Sequence, residues 1–108
     1  MKSNNNVDVL IFKVLSNGVR VAIISALLKT PMSVNRICEE VKETQPRVSH
    51  ELRCLLACGF VSHERKGKKI IYFLNGNTAI PIIKAVNAHA KLFGDRIIRC
   101  KGLSDIMK

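Results

Sequence analysis

The stretch that decides the fold is residues 44–74, which read TQPRVSHELRCLLACGFVSHERKGKKIIYFL. Its first half carries the signals of a helix, with an N-cap at Thr44, a proline tolerated in the first turn and a stop at Gly59. Its second half reads as two strands joined by a short basic turn at residues 66–68. A polar-faced helix followed by a hairpin with a cationic tip can enter one DNA groove and straddle the backbone beside it. The stretch therefore predicts a winged helix-turn-helix.

Apolar residues recur at helical spacing on both sides of this stretch. They predict helices at about residues 7–15, 19–29, 34–41, 45–58 and 78–93. Gly94 is expected to end the last of these, and a short helix is expected over residues 96–100. The predicted fold is mainly α with a small β-hairpin, a winged helix-turn-helix with extra N- and C-terminal dimerisation helices. We expect a single domain, residues 1–108, with a core at 7–93 and a basic C-terminal tail at 94–108.

The composition excludes several classes of protein. An apolar fraction of 47% and a charged fraction of 24% are ordinary for a globular chain. The longest strongly apolar run, residues 21–28, is too short to span a membrane, and the polar N-terminus does not resemble a signal peptide. The four cysteines lack the spacing of a disulfide scaffold. These features predict a cytoplasmic chain with free thiols and no membrane partner.

The formal net charge of +10 is distributed unevenly. Charges cancel over residues 36–58, whereas the hairpin at 61–74 holds four basic residues against Glu64 alone. A neutral helical pair beside a positive hairpin favours phosphate anchoring by the hairpin and a more selective role for the helix. The alternative, that surplus lysines only solvate the surface, is not excluded by charge alone.

The first and last long helices are apolar over more surface than one small domain can cover. This pattern favours a homodimer in which these helices pack against their symmetry mates. The alternative is that both helices complete the core of a monomer. This interpretation is the less favoured one for so short a chain.

With these motifs in order, the chain resembles the ArsR/SmtB family of small dimeric repressors over roughly residues 7–93. The motifs that carry the resemblance are Leu15-Ser16-Asn17-Gly18-Val19-Arg20, Ser33-Val34-Asn35-Arg36-Ile37-Cys38, Gln45-Pro46-Arg47-Val48-Ser49-His50-Glu51-Leu52 with Leu55 and Gly59-Phe60-Val61, and Gly67-Lys68-Lys69-Ile70-Ile71-Tyr72-Phe73-Leu74. The resemblance implies a homodimer that binds double-stranded DNA at an imperfect palindromic operator and is released by an inducer.

The predicted DNA contacts fall into two groups. The residues expected to face the major groove are Gln45, Arg47, Ser49, His50 and Arg53. Arginine can read guanine and glutamine can read adenine, while serine serves base or phosphate. The residues expected to hold the backbone or minor groove at the wing are Arg65, Lys66, Lys68 and Lys69. For each of them the alternative is a solvated side chain.

The inducer sites of the family are missing from this chain. Ser33 and Asn35 stand where many relatives carry Cys-x-Cys, so that arsenite or soft-metal site is absent. The last helix offers His89 without a carboxylate before Asp95, which argues against the family's zinc site. The predicted helix at residues 19–29 has Ser25 and no cysteine, whereas redox-sensing relatives carry a cysteine in this helix.

The cysteines leave one sensing hypothesis open. Cys54 and Cys58 are spaced i, i+4 on one side of the recognition helix, with β-carbons about 5–6 Å apart. Two such thiols can share a soft ion, with Cys38 or Cys100 as a candidate third ligand, or respond to an oxidant. The alternative is that the cysteines are small buried hydrophobes, because Cys38 and Cys58 fall where the family commonly has alanine.

Other functions fit the sequence less well. An enzyme is disfavoured because the chain has no glycine-rich phosphate loop, no plausible Ser/His/Asp arrangement and few carboxylates. A winged helix that contacts protein or RNA is disfavoured by the basic wing and the Arg/Ser/His recognition helix. A ligand-independent DNA-binding or architectural protein stays open as the alternative to an inducer-released repressor.

Overall fold

The computed structural model describes the backbone of residues 2–106 and the side chains of residues 6–102 and 106. The elements follow in the order α1 (Lys2–Leu15), α2 (Gly18–Lys29), β1 (Met32–Ser33), α3 (Val34–Val41), α4 (Gln45–Ala57), β2 (Val61–Lys66), β3 (Lys69–Leu74), α5 (Ala79–Ile98) and α6 (Lys101–Ile106). The helix-turn-helix is the pair α3–α4, and the wing is the hairpin β2–β3. This is the element order that the sequence predicts, with one strand added and the short C-terminal helix placed further along the chain.

Side-chain caps set the starts of the three central helices. The Asn17 side chain accepts from the Arg20 amide at the start of α2, and Ser33 and Thr44 do the same for the amides three residues ahead at α3 and α4. Each cap satisfies one backbone N–H that has no partner within its helix. At the other end of α4, Gly59 adopts a φ of +79°, which lets the chain turn away into the wing.

The core lies where α2, α3 and α4 meet the sheet. Its fully buried side chains include Ile23, Ile24, Ile37, Val48, Leu52, Leu55 and Val61. Helix α2 contributes Ile23, Ile24, Ala26 and Leu27 and is the central helix of the fold. This packing buries one apolar stripe of α4, together with Glu51, and leaves most of the other polar residues of the helix exposed.

The sheet has three antiparallel strands in the order β1-β3-β2, one more than the predicted hairpin. The short strand β1 pairs Met32 with Tyr72 and Ser33 with Ile71. Two residues are too few to give a period-2 pattern, so the strand has no signal in the sequence. The pairing places the N-terminus of α3 directly beside the wing.

Two predictions near the C-terminus are wrong. Helix α5 continues through Gly94 to Ile98, and the short helix lies at Lys101–Ile106 rather than at residues 96–100. A glycine inside a helix costs only about 1 kcal/mol relative to alanine, and no proline or cap follows Gly94 to stop the helix. The predicted tail extends to Lys108, and its last two residues lie outside the described residues.

Helices α1 and α5 carry large apolar side chains at the surface. In α1 these include Phe12, which is 72% exposed, and in α5 they include Val86, Leu92, Phe93 and Ile98. Within residues 2–106 no single helix is long and apolar enough to cross a membrane. Residues 6–15 and α2 reach the length and hydropathy of a membrane span only when they are taken together, and their axes are bent by 79° at the break between them.

Candidate nucleic-acid interface

Helix α4 presents a polar face because its apolar residues are confined to one stripe. Val48, Leu52 and Leu55 are buried in the core at intervals of three and four residues. Of the five residues predicted to face the groove, Gln45, Arg47, His50 and Arg53 are exposed and Ser49 is half-buried. The structure therefore brings the predicted reading residues together on the outer side of one helix.

The wing is joined to the end of α4 by hydrogen bonds around Asn75. The Asn75 side-chain amide donates to the Gly59 carbonyl, and the Asn75 backbone N–H donates to the Phe60 carbonyl at 3.1 Å. The Ser62 hydroxyl donates to Asn75 Oδ1 at 2.6 Å. These contacts connect the residue after β3 to the residues between α4 and β2, so the wing and α4 are positioned relative to each other.

The four basic residues of the wing are all exposed but differ in their contacts. Arg65 Nε donates to the Gly67 carbonyl at 3.0 Å, across the turn. Lys66 Nζ lies 3.3 Å from a carboxylate oxygen of Glu64. Among the described side chains, no ion pair involves Lys68 or Lys69. Lys68, in the two-residue loop, and Lys69, at the start of β3, are therefore the wing cations with the fewest competing partners.

A cleft of about 520 Å³ lies between the wing and the helix-turn-helix. It is lined by predicted DNA contacts from both the wing and α4. Its walls include Lys68 and Lys69 from the wing, Gln45 from α4, and Asn35 and Arg36 from the start of α3. Arg36 also pairs with Glu40 at 3.0 Å. Asn35 and Arg36 are absent from the predicted contacts, because only the β1–β3 pairing brings the N-terminus of α3 to the wing.

A buried charge cluster lies beneath the exposed polar face of α4. Glu51 is 4% exposed, and its two carboxylate oxygens meet two arginines. Arg20 Nη1 of α2 donates to Oε1 at 2.8 Å, and Arg47 Nε lies 3.2 Å from Oε2. Arg20 also donates through Nε to the Val14 carbonyl at 2.7 Å, at the end of α1. The sequence signal for this cluster was the charged residue Glu51 on the apolar side of the helix.

The two cysteines of α4 lie one turn apart, Cys54 half-buried and Cys58 exposed at the helix end. Partial burial raises the pKa of the Cys58 thiol, and the charge and hydrogen bonding of the neighbouring Cys54 raise it further, against a smaller opposing effect of Arg20. Cys58 is therefore a protonated thiol at neutral pH rather than a reactive thiolate.

The structure does not gather the remaining cysteines around this pair. No group of three or more histidine, cysteine or acidic side chains within metal-binding reach occurs in the described part of the chain. The described side chains of one protomer therefore give no support to a third thiol ligand from Cys38 or Cys100, which stays a prediction. Cys38 is on α3 and Cys100 follows α5, whereas Cys58 borders a cavity that is also lined by Ile11 of α1 and Ile82 of α5. On α5, His89 stacks on Phe93 with ring centroids 4.8 Å apart.

Comparisons with known proteins agree with this architecture. The model of the family described as "Bacterial regulatory protein, arsR family" matches residues 17–63. A probable mercury resistance operon repressor of Streptomyces lividans is 36% identical over 61 residues, which cover 56% of this chain and 49% of that protein. This chain thus spans about half the length of that relative.

A second relative is matched over most of its length. It is an uncharacterized HTH-type transcriptional regulator of Methanocaldococcus jannaschii, 32% identical over 78 residues, which cover 71% of this chain and 88% of that protein. Among solved structures, the homodimeric winged helix-turn-helix DNA-binding domain of a possible ArsR-family regulator from Mycobacterium bovis superposes with a TM-score of 0.72. That match has 24% identity and covers 86% of this chain and 89% of that domain. The predicted winged helix-turn-helix fold is confirmed.

Proposed function

The chain belongs to the arsR family of bacterial regulatory proteins, and from that premise we propose that it is a sequence-specific DNA-binding transcriptional repressor. The observation that carries the proposal is one continuous surface formed by the polar face of α4, the cleft at the start of α3 and the basic wing. The helix face can read base edges in the major groove, while Lys68 and Lys69 lie where phosphates pass. Such a protein acts in the cytoplasm and needs no catalytic group.

We propose that the active form is a homodimer built on α1 and α5. Phe12 is 72% exposed on α1, and Leu92 and Ile98 are 77% and 80% exposed on α5. Several large apolar side chains exposed on the same two helices are typical of an interface, because a monomer rarely leaves so much apolar surface in water. A two-fold axis through these helices would present two copies of α4, and half-sites about 34 Å apart would fit successive major grooves of an imperfect palindrome.

The test is fluorescence anisotropy of the reduced protein with DNA from upstream of its own gene and with a scrambled duplex of equal composition. Specific binding predicts an affinity ratio of about 10³ or more, with a stoichiometry of two protomers per duplex. Equal affinity for both duplexes would contradict sequence-specific repression and favour an architectural role. A complex with one protomer per duplex would contradict the homodimer.

A second proposal concerns release from DNA, and it rests on the adjacent thiols of α4. We propose that Cys54 and Cys58 together bind a soft ion such as As(III), Hg(II), Cd(II) or Cu(I), because two thiols at this spacing can share one ion. The raised pKa of Cys58 disfavours spontaneous oxidation, and a soft ion that binds there must displace the thiol proton. Binding at this position would distort the helix that reads DNA.

Single substitutions separate this release mechanism from its alternatives. The anisotropy measurement is repeated with arsenite, with each soft metal ion and with a mild oxidant. The proposal predicts release by a soft ion in the wild type and no release in Cys54→Ser or Cys58→Ser. Cys38→Ser and Cys100→Ser are the matched controls, and a loss of release in either would indicate a third thiol recruited elsewhere in the dimer. A DNA affinity that is unchanged by every agent would contradict thiol sensing and favour a ligand-independent regulator.

A further inference from the structure

We propose that Glu51 is a positioning residue for DNA reading, which aims the Arg47 side chain and ties it, through Arg20, to the end of α1. The inference rests on the proposed function, because it assigns a role within the same DNA-binding surface. Glu51 is the buried charged side chain of the described part of the chain. Its location on the reading helix, rather than elsewhere in the core, is what requires an explanation.

The two carboxylate oxygens of Glu51 have separate partners. Oε1 accepts a hydrogen bond from Arg20 Nη1 at 2.8 Å, and Oε2 lies 3.2 Å from Arg47 Nε. Since the Arg47 contact is made through Nε, the terminal amino groups of the guanidinium are the part left to meet a base or a phosphate. An arginine held at its inner nitrogen presents its fork in a fixed direction, which reduces the side-chain freedom lost on binding.

The far end of the cluster is fixed to the backbone. Arg20 donates to the Val14 carbonyl at 2.7 Å and to the Lys13 carbonyl at 3.4 Å, so it caps the C-terminal end of α1. The start of α2 is itself fixed by the Asn17 cap on the Arg20 amide at 3.0 Å. Arg20, which holds the Glu51 carboxylate, is therefore fixed to the end of α1. Through Glu51 and Arg20, the position of the Arg47 side chain is linked to the position of α1.

Stability alone is a weak explanation for this cluster. A buried ion pair is often no more stabilising than well-packed apolar side chains of similar volume. Arg47 is half exposed in its side chain, so it adds little as a core contact. A cluster that joins a buried carboxylate to an exposed reading arginine is better suited to specificity than to stability.

The test compares Glu51→Gln with Glu40→Gln as a matched control. Among the described side chains, Glu40 pairs with Arg36 alone, at 3.0 Å in an exposed i, i+4 arrangement, so both variants break an i, i+4 ion pair and change the net charge equally, while only Glu51→Gln also removes a contact with Arg20. The affinity of each variant is measured for upstream and for scrambled DNA. Each substitution is made both in the wild-type chain and in an Arg47→Ala background. We expect Glu51→Gln to lower the upstream-to-scrambled affinity ratio about tenfold, Glu40→Gln to leave it unchanged, and Glu51→Gln to lower it no further when Arg47 is absent.

The possible results are distinguishable. If the wild type itself shows no preference for upstream DNA, the proposed function fails before the role of Glu51 is tested. If the wild type is specific and Glu51→Gln keeps the full ratio, or lowers it equally without Arg47, the positioning role is overturned. A variant that is only less stable would weaken binding to both duplexes and leave their ratio unchanged.

A measurement on the wild type covers the case in which Glu51→Gln does not fold. Nitrogen-15 spectra of the free protein report the exchange of each arginine Nε proton with water, with the Arg47 signal assigned by its loss in Arg47→Lys. The proposal predicts slower exchange for Arg47 than for Arg53, an exposed arginine of the same helix without an ion pair among the described side chains. Equal exchange rates for the two would overturn it.

Discussion

Replacing Lys68 should change the salt dependence of DNA binding more than replacing Lys66. Both lysines are exposed at the tip of the wing, but Lys66 Nζ lies 3.3 Å from Glu64, and Lys68 has no ion pair among the described side chains. Lys66 must exchange a carboxylate for a phosphate on binding, whereas Lys68 meets a phosphate without that competition. Lys68→Ala and Lys66→Ala are thus a matched pair that differ in one contact.

The size of the effect follows from counterion release. Each phosphate contact adds about 0.9 to the slope of log affinity against log salt for duplex DNA. A homodimer carries two wings, so Lys68→Ala should flatten the slope by about 2. Between 50 mM and 200 mM salt, the wild type should then lose about tenfold more affinity than the variant. Lys66→Ala should flatten the slope by clearly less, because its phosphate contact is offset by Glu64.

The assay is anisotropy titration of both variants and the wild type at four salt concentrations, with upstream and scrambled duplexes. Because phosphate contacts carry no sequence information, Lys68→Ala should weaken binding to both duplexes to a similar extent. A slope unchanged by Lys68→Ala would show that Lys68 does not contact phosphate. Equal changes for the two lysines would refute the reasoning from the Glu64 ion pair.

Three further predictions address the reading helix. Arg47→Ala should cost about 1–3 kcal/mol of specific binding and relax the preference at the base it reads, measured with single-base operator variants; unchanged affinity would remove Arg47 from the contacts. Leu55→Ala should lower the free energy of unfolding by about 2–5 kcal/mol, because Leu55 is 0% exposed in the core; denaturant unfolding at fixed protomer concentration measures this loss, and a loss below about 1 kcal/mol would contradict the packing. The raised pKa of Cys58 should delay its alkylation to higher pH than for an unfolded cysteine peptide, and Cys54→Ala should move the profile back toward lower pH. Since the folded state favours the protonated thiol, any stability linked to this pKa shift is full below the pKa of the unfolded chain and declines as pH rises through the folded one. Alkylation profiles of Cys58 that coincide with and without Cys54 would contradict the coupling.

The central part of the fold could be predicted because its signals are local. The caps at Ser33 and Thr44 and the stop at Gly59 act within a few residues of chain, and the apolar stripe of α4 follows the helical period. The exposed face of α4 could be predicted for the same reason. Local signals failed at Gly94, where the weak helix-breaking tendency of one glycine was overcome by the helix-forming residues on both sides.

The contacts between distant segments could not be predicted, because their partners are set by packing and leave no periodic pattern in the chain. Strand β1 exists only because Met32 and Ser33 meet β3, and that pairing brings Asn35 and Arg36 to the wing. The same holds for the contact between Glu51 and Arg20, which are separated by 31 residues in the chain. The residues proposed to enter the groove can therefore be predicted from the sequence, whereas the contacts of Glu51 that hold Arg47 arise only when α1, α2 and α4 pack together.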